Sequence, residues 1–311
     1  MQKKTLLEAH QRILPYIHRT SILSSQSVNR MVEAEFYFKC ENFQKGGAYK
    51  IRGATNAILQ LSDHQKKNGV VTHSSGNFAQ ALSLAAKNVG IKAFIVMPSD
   101  APKVKKDAVR EYGGEIIESG PDPSAREAMA REVLSEKRAI FIHPSNDENV
   151  IVGQGTAGME LLGEHPDLDF IIAPVGGGGL IAGTALAAHH FGNQCQVIGG
   201  EPFEVDDAYR SLKSGKIESN ATTDTIADGL KTQLGDKSFP IIQKYVEGIL
   251  RVTEDEIVAA MRLIWERMKI VVEPSSAVAL AALLTDRERF VGKKVGIIIS
   301  GGNVDLKRLP F

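Results

Sequence analysis

Two cysteines, Cys40 and Cys195, are all that a chain of 311 residues carries. Thiols so few and so far apart exclude a disulfide framework and point to a reducing cytoplasm. Charge imbalance is missing too, since 37 basic side chains stand against 37 acidic ones. Nothing in that balance would draw the chain to nucleic acid or to an acidic membrane. Long apolar runs are also absent. The most apolar stretch, IIAPVGGGGLIAGTALAAHH, is broken by Pro174 and four glycines, so no run reaches the ~18 apolar residues of a membrane span. The opening MQKKTLLEAHQRILPYIHRT has no unbroken apolar segment and does not read as a signal peptide. Repeats and low-complexity segments are not seen. What is left, 43% hydrophobic and 24% charged, is the composition of a soluble globular protein, long enough for two domains of ordinary size.

Strand-like and helix-like segments alternate along the chain. GVVTH leads into SSGNFAQALSLAAKNVG, where Leu82, Ala85, Ala86 and Val89 share one helical face and Gly90 suits a stop. KAFIVMP reads as a buried strand, SDAPKVKKDAVREYGG as a capped amphipathic helix, GEIIES as a strand, DPSAREAMAREVLSEK as a helix and AIFIHP as a strand. From about residue 147 the alternation resumes, through GQGTAGMELLGEH, DFIIAPV, GLIAGTALAAHHFG and QVIGGEP. A capping box, Thr253 with Glu256, opens the helix after RVTEDE, and KKVGIIISGG is a closing strand. Apolar strands alternating with helices predict an α/β fold built on parallel-type sheets flanked by helices. The run 69–146 reads as a small domain inserted into a larger one formed by 1–68 and 147–311.

Four short stretches stand out chemically. In PVGGGGLIAG a strand ends at Val175, four glycines follow and a helix begins near Leu180. Such a turn brings backbone N–H groups to a helix N-terminus and suits a phosphate. The same residues permit a dinucleotide fingerprint, with Gly177, Gly179 and Ala182 matching G-x-G-x-x-A and Glu201 after the next strand. In THSSGNFAQA, Ser74, Ser75, Gly76 and Asn77 lie between strand and helix, where they suit a carboxylate or simply an ordinary N-cap. In ISGGNVD, Ser300 ends the last apolar strand, where a ligand-facing hydroxyl and a polar turn are both reasonable. In QKGGAYKIRGA, a lysine in apolar surroundings has a lowered pKa and can form a Schiff base, although most lysines only solvate a surface.

Taken together, FQKGGAYKIRGATNA, SSGNFAQA, HPSNDENVIVGQGT, PVGGGGLIAG, ERMKIVVEPSSAVAL and SGGNVDL resemble the fold-type II pyridoxal phosphate enzymes in family order over nearly the whole chain. The branch resembled is that of serine racemases and short serine/threonine dehydratases, which share the two-domain tryptophan synthase β-like fold. The dinucleotide reading explains none of the other segments. The resemblance implies pyridoxal 5'-phosphate carried on Lys50, with Tyr49 against its ring where relatives usually have Phe. It places Asn77 at the phenolic oxygen, Gly176, Gly177, Gly178 and Gly179 at the phosphate, and Ser300 at the pyridine nitrogen. Ser74, Ser75, Gly76 and Asn77 would grip the substrate carboxylate. Glu201, the Val205 carbonyl and Asp207 match a site for Mg²⁺, with Ca²⁺ or Mn²⁺ as alternatives, or else a solvated strand end. Lys45 and Arg52 take supporting or surface roles. The resemblance also implies a homodimer.

The activity this implies is a dehydratase, or ammonia-lyase, turning L-serine or L-threonine into a 2-oxo acid and ammonia. Lys50 would be the base at the α-carbon. A neutral serine at the ring nitrogen would limit charge storage there and favour prompt elimination. Ser75 keeps serine racemase activity open, because a hydroxyl opposite Lys50 can return a proton to the other face. Arg126, in DPSAREAM, suits a second carboxylate and so a 3-hydroxyaspartate ammonia-lyase or aspartate racemase; a solvated helix face is its plainer reading. Three departures matter: Phe78 replaces a usual His, Ala48 replaces a common Ser, and Ser275–Ser276 stands where relatives often have Ser or Thr followed by Gly or Ala. Phe78 and Ala48 keep open a catalytically silent protein that binds the cofactor. No regulatory domain is expected after SGGNVDL.

Overall fold

The computed structural model describes residues 1–311, the side chain of Pro123 apart. Ten strands are present: β1 (Ile22–Leu23), β2 (Glu35–Cys40), β3 (Val70–His73), β4 (Ala93–Pro98), β5 (Glu115–Ser119), β6 (Ile140–Phe141), β7 (Phe170–Pro174), β8 (Gln196–Pro202), β9 (Gly248–Val252) and β10 (Lys294–Ile299). They form two sheets. The larger has the order β1-β2-β10-β7-β8-β9 and the smaller β5-β4-β3-β6. Every pairing is parallel except that of β1 with β2, where Ile22 lies opposite Lys39. The smaller sheet is drawn wholly from residues 70–141.

Side-chain alternation along the strands explains why both faces of the larger sheet are covered. Val295, Ile297 and Ile299 of β10 face one way, into a core completed by the helices Glu254–Met268 and Pro274–Thr285. Ile298 faces the other way, with Ile171 and Ala173 of β7, toward the helices Glu148–Glu164 and Gly179–Phe191. Strands buried on both faces need continuous apolar runs, which is what KVGIII and FIIAP supply. The smaller sheet follows the same rule, with Ile95 and Met97 of β4 on one side and Phe94 and Val96 on the other. The expected capping box is present, Thr253 accepting from the Glu256 N–H. The helix Lys103–Glu111 differs from expectation: its N-cap is Pro102, with no capping hydrogen bond, although Ser99 and Asp100 stand just upstream. Among the described residues no helix is long and apolar enough to cross a membrane.

A buried ionic cluster ties the helix Lys50–Leu59 to the larger sheet. Arg52, with no exposed surface, donates from Nε and Nη2 to the two carboxylate oxygens of Glu41 at 2.7 and 2.8 Å. Nη1 and Nη2 also reach Glu160 Oε1 and Oε2, each at 2.8 Å. Lys39 of β2, equally buried, adds an ion pair to Glu160 at 2.7 Å and donates to the Thr20 carbonyl at 2.8 Å. Burial works against the Arg52 charge, but Glu41 outweighs it and raises the guanidinium pKa. Burial pushes Glu160 up, yet hydrogen bonds from His10 and Arg52 hold its carboxyl below the usual range. Arg52 is thus a supporting residue and not a surface one.

Removing the guanidinium would leave the buried Glu41 carboxylate with only the Thr20 hydroxyl, while Glu160 keeps Lys39 and His10; the loss costs about 3–5 kcal/mol. Arg52→Met is therefore expected to lose that amount of unfolding free energy in urea titration. Arg52→Lys should recover only part of it, because an ammonium cannot reproduce the two-sided fork.

Candidate active site

The segment before Lys50 is zipped to the end of β10. The Tyr49 N–H donates to the Ser300 carbonyl at 3.0 Å, Ala48 bridges Gly301, and the Gly302 N–H donates to the Gly47 carbonyl at 2.9 Å. These bonds bring Ser300 beside the start of the Lys50–Leu59 helix. The Lys50 ammonium lies 3.3 Å from the Pro144 carbonyl, 4.9 Å from the Tyr49 ring centroid and 6.0 Å from that of Phe78. Phe78 is 98% buried, on the first turn of the helix Asn77–Asn88. The substituted aromatic therefore lies against the lysine, where a histidine would be a polar neighbour.

The loop 74–76 precedes that helix at the C-terminal end of β3, and Asn77 opens the helix. Its N-cap is Gly76, with no side-chain capping bond, so neither Ser74 nor Ser75 is spent as the cap. Ser74 Oγ accepts from the Gly76 N–H at 3.3 Å. The free first-turn N–H groups of a helix are suited to a carboxylate. Asn77 is held on both sides: its amide nitrogen donates to Glu273 Oε1 and Oε2 at 2.9 and 3.1 Å, and its oxygen accepts from Asn303 Nδ2 at 3.0 Å.

Two histidines complete this side. The His143 ring centroid is 6.0 Å from that of His73. Burial, with His73 and Lys50 nearby, takes His143 down to about 4, and burial also lowers His73, with Arg126 adding to the effect. His143 Nδ1 accepts from the Ser145 and Asn146 N–H groups at 3.1 and 2.8 Å, so its single proton is on Nε2. Arg126, on the helix Pro123–Lys137, is within electrostatic reach of His73, and its Nε is buried without a hydrogen-bond partner among the described residues.

The four glycines follow β7 and lead into the helix Gly179–Phe191, and all four are buried. Gly178 has φ +80°, a conformation that an L side chain resists. A Cβ on Gly177 would overlap Ser145 Oγ, so the backbone there can be approached only because it is bare. A phosphate-sized anion fits such a turn by the donors it exposes and the helix terminus behind it. The dinucleotide alternative needs Glu201 free to meet a ribose. Instead Glu201, buried at the end of β8, accepts from the Ala208 and Tyr209 N–H groups at 3.1 and 2.9 Å.

Asp207 is equally buried and accepts from Asn220 Nδ2 at 2.6 Å and the Leu234 N–H at 2.9 Å. Burial, then Asp207, pushes Glu201 well up, and burial takes Asp207 up to about 6. Val205 is buried between them in sequence. Among the described residues no three His, Cys, Asp or Glu side chains are grouped for a metal. Two carboxylates and a backbone carbonyl are a donor set for a hard cation that keeps some water.

Ser300 is 97% buried and its Oγ lies 2.9 Å from Ser276 Oγ. The residues that sequence reasoning did not single out are Glu273, Asn303, His143 and His73; Ser276 stood out only as a departure from the family pattern. His143 and His73 end the strand-like runs AIFIHP and GVVTH, at the sheet edge where ligands bind. That placement was the only available signal.

Comparison with known proteins gives one consistent outcome. The family model for pyridoxal-phosphate dependent enzymes matches residues 13–301. The chain is 49% identical to the beta-hydroxyaspartate dehydratase of Paracoccus denitrificans (strain Pd 1222), over 98% of this chain and 97% of the relative. The crystal structure of serine racemase from Dictyostelium discoideum superposes with a TM-score of 0.92 at 48% identity, covering 97% of this chain and 98% of that one. The crystal structure of the T.th. threonine deaminase superposes with a TM-score of 0.93 at 40% identity, covering 98% of this chain and 99% of that one.

Glu273 yields a pH prediction. Burial, opposed by the Asn77 hydrogen bond, takes its carboxyl up to about 7 from an ordinary 4.5. The folded state therefore holds a proton that the unfolded chain releases. The stabilisation is whole below pH 4.5 and is lost as pH climbs through about 7, an effect of order 3 kcal/mol. Glu273→Gln has nothing to titrate. In urea titrations it should be more stable than the parent protein at about pH 8, and the difference should vanish near pH 5.

Proposed function

This chain belongs to the pyridoxal-phosphate dependent enzyme family, fold type II, and on that premise we propose that it is an ammonia-lyase of 3-hydroxy amino acids, with 3-hydroxyaspartate as the substrate its side chains suit best. Serine and threonine fall in the same reaction class. The observation that carries the choice is the Nε of Arg126, buried and without a hydrogen-bond partner among the described residues, within electrostatic reach of His73. A guanidinium with an open donor recognises a second carboxylate, which serine and threonine lack.

Pyridoxal phosphate, when bound, supplies an electron sink that acidifies the substrate α-proton. Lys50 is the amine that would carry it, with Tyr49 at the ring and Gly176, Gly177, Gly178 and Gly179 at the phosphate. Asn77, aimed by Glu273 and Asn303, would reach the phenolic oxygen, and Ser300 the ring nitrogen. Ser74, Ser75, Gly76 and Asn77 bind the α-carboxylate through the open N–H groups of their helix terminus. Once the substrate amine has taken its place, Lys50 Nζ would be free to take the α-proton from one face. Phe78 and Tyr49 keep water from the amine. Neutral His143 offers Nε2–H as a donor toward the substrate side. The β-hydroxyl would leave as water, so that the proton Lys50 takes from the α-carbon balances the one the hydroxyl gains, and hydrolysis by a second water gives a 2-oxo acid with ammonia.

A second reading is serine racemisation. It is favoured by Ser75, a hydroxyl in the 74–76 loop where Gly76 takes the cap position. If Ser75 gives its own hydroxyl proton to the opposite face while Lys50 keeps the one it took, the α-carbon is inverted, whereas loss of the β-hydroxyl before that transfer gives the lyase product. Within this reading Glu201, the Val205 carbonyl and Asp207 bind Mg²⁺, which would neutralise a buried carboxylate pair. The inserted-domain division, with 69–146 closing over the substrate, and a homodimer complete the proposal.

Lys50→Ala is expected to abolish both oxo-acid formation and borohydride-fixed attachment of pyridoxal phosphate; labelling that persists at another lysine would sink the assignment. Arg126→Gln should lower kcat/KM for 3-hydroxyaspartate roughly 10- to 100-fold, as loss of a charge-assisted pair does, and leave serine turnover within a few-fold. Equal losses on both substrates would return Arg126 to a structural role. Chelator should lower the melting temperature and added Mg²⁺ restore it, with Glu201→Gln insensitive to both.

A further inference from the structure

The Ser276 hydroxyl makes three short contacts in a buried pocket. It receives the Gly301 N–H at 2.6 Å, lies 2.6 Å from the Gly301 carbonyl oxygen and lies 2.9 Å from Ser300 Oγ. Ser276 has no exposed surface and Ser300 only 3%. A hydroxyl has one proton and two lone pairs, so the three contacts can be assigned. The Gly301 N–H only donates and fills one lone pair. The Gly301 carbonyl only accepts and takes the proton. The remaining lone pair faces Ser300, which must therefore be the donor. The reverse arrangement, Ser276 donating to Ser300, would leave two oxygens 2.6 Å apart with no proton between them. The Gly301 carbonyl would then keep only the Glu273 N–H at 3.1 Å, with the Ser276 oxygen still pressed against it.

We propose that Ser276 is a positioning residue that fixes Ser300 as a hydrogen-bond acceptor toward the cofactor ring, so that the bound pyridine nitrogen keeps its proton. The inference rests on the placement of Ser300 at that nitrogen. With its own proton committed to Ser276, Ser300 offers only lone pairs. An unprotonated nitrogen there would set lone pair against lone pair; a protonated one donates into Ser300. A protonated ring withdraws charge from the α-carbon more strongly and holds it longer. That gives Ser75 time to return a proton before the β-hydroxyl departs. Ser276 thereby tunes the division between racemisation and elimination. It stands at one of the positions where the sequence departs from the pattern of its relatives, and it supplies a second hydroxyl that a glycine or alanine there would not.

The test is ¹⁵N NMR of the holoenzyme reconstituted with ring-¹⁵N pyridoxal phosphate, together with the ratio of inverted amino acid to oxo acid formed from L-serine. The parent protein should show a protonated-ring resonance. Ser276→Ala should move it toward the unprotonated range and lower the ratio of inversion to elimination several-fold, and Ser276→Thr, which keeps the hydroxyl, should restore both. Ser276→Cys, a weaker acceptor, should give a smaller shift in the same direction and serves if the alanine variant does not fold. Ser300→Ala separates the two levels. If it moves the resonance and Ser276→Ala does not, the inference fails while the placement of Ser300 stands. If neither moves it, Ser300 does not face the nitrogen and the inference falls with that placement. An unprotonated resonance in the parent protein also overturns it.

Discussion

The two-sided grip on Arg52 is the constraint from which the rest of the site follows. Lys50 is only two residues away, at the first turn of the same helix, and a helix end is the part of an element most prone to fray. Glu41 holds the guanidinium from the residue after β2, and Glu160 holds it from the Glu148–Glu164 helix. A bidentate fork in a dry interior has one geometry, so the helix cannot rotate or slide without breaking several charge-assisted bonds at once. The interaction is costly to assemble, because four charges leave water. Close mutual pairing of Lys39, Glu41, Arg52 and Glu160 offsets that cost and leaves a neutral cluster. What it supplies is a fixed origin for the lysine.

From that origin the chain closes on itself. The 47–49 segment pairs with 300–302, so the first and last functional stretches of the sequence are neighbours in space. Gly53 and Gly153 let the lysine-bearing helix approach the Glu148–Glu164 helix closely: a Cβ on Gly153 would lie 2.6 Å from the Gly53 Cα. Backbones packed this tightly leave little room for adjustment. On the opposite side, Phe78 and Tyr49 line the amine with aromatic carbon and leave the Pro144 carbonyl as its one hydrogen-bond acceptor among the described residues.

Much of the fold was legible because it obeys local rules. Alternation of apolar strands with helices gave the parallel sheets, and the capping box at Thr253 marked a helix start to the residue. The glycine run and Lys50 were legible only jointly, through motifs that recur in order along the chain. Arg52 was ambiguous for a physical reason: an arginine two residues from Lys50 looks the same in sequence whether it is solvated or buried. Its partners are 11 and 108 residues away, beyond any local pattern. Glu273 was hidden likewise, since its partner Asn77 is 196 residues distant. Ser276 was visible as a departure, yet its meaning lies in a proton count that only its three contacts in the folded chain permit.

The same count bears on why a serine at the ring nitrogen does not by itself decide the chemistry. A serine hydroxyl can donate or accept, and taken alone it would be expected to leave the nitrogen unprotonated and to favour elimination. Which role it takes depends on the next hydroxyl, and that one is bound on both sides by a single glycine residue. Two chains could share every residue that touches the cofactor and still divide protons differently, because a group one layer further out commits the donor. Arg126, within electrostatic reach of His73, is the residue proposed to select a substrate by charge. On the proposed reading, substrate choice and reaction choice would be set by residues separated by 150 positions in the sequence, and either could change without disturbing the lysine that Arg52 holds in place.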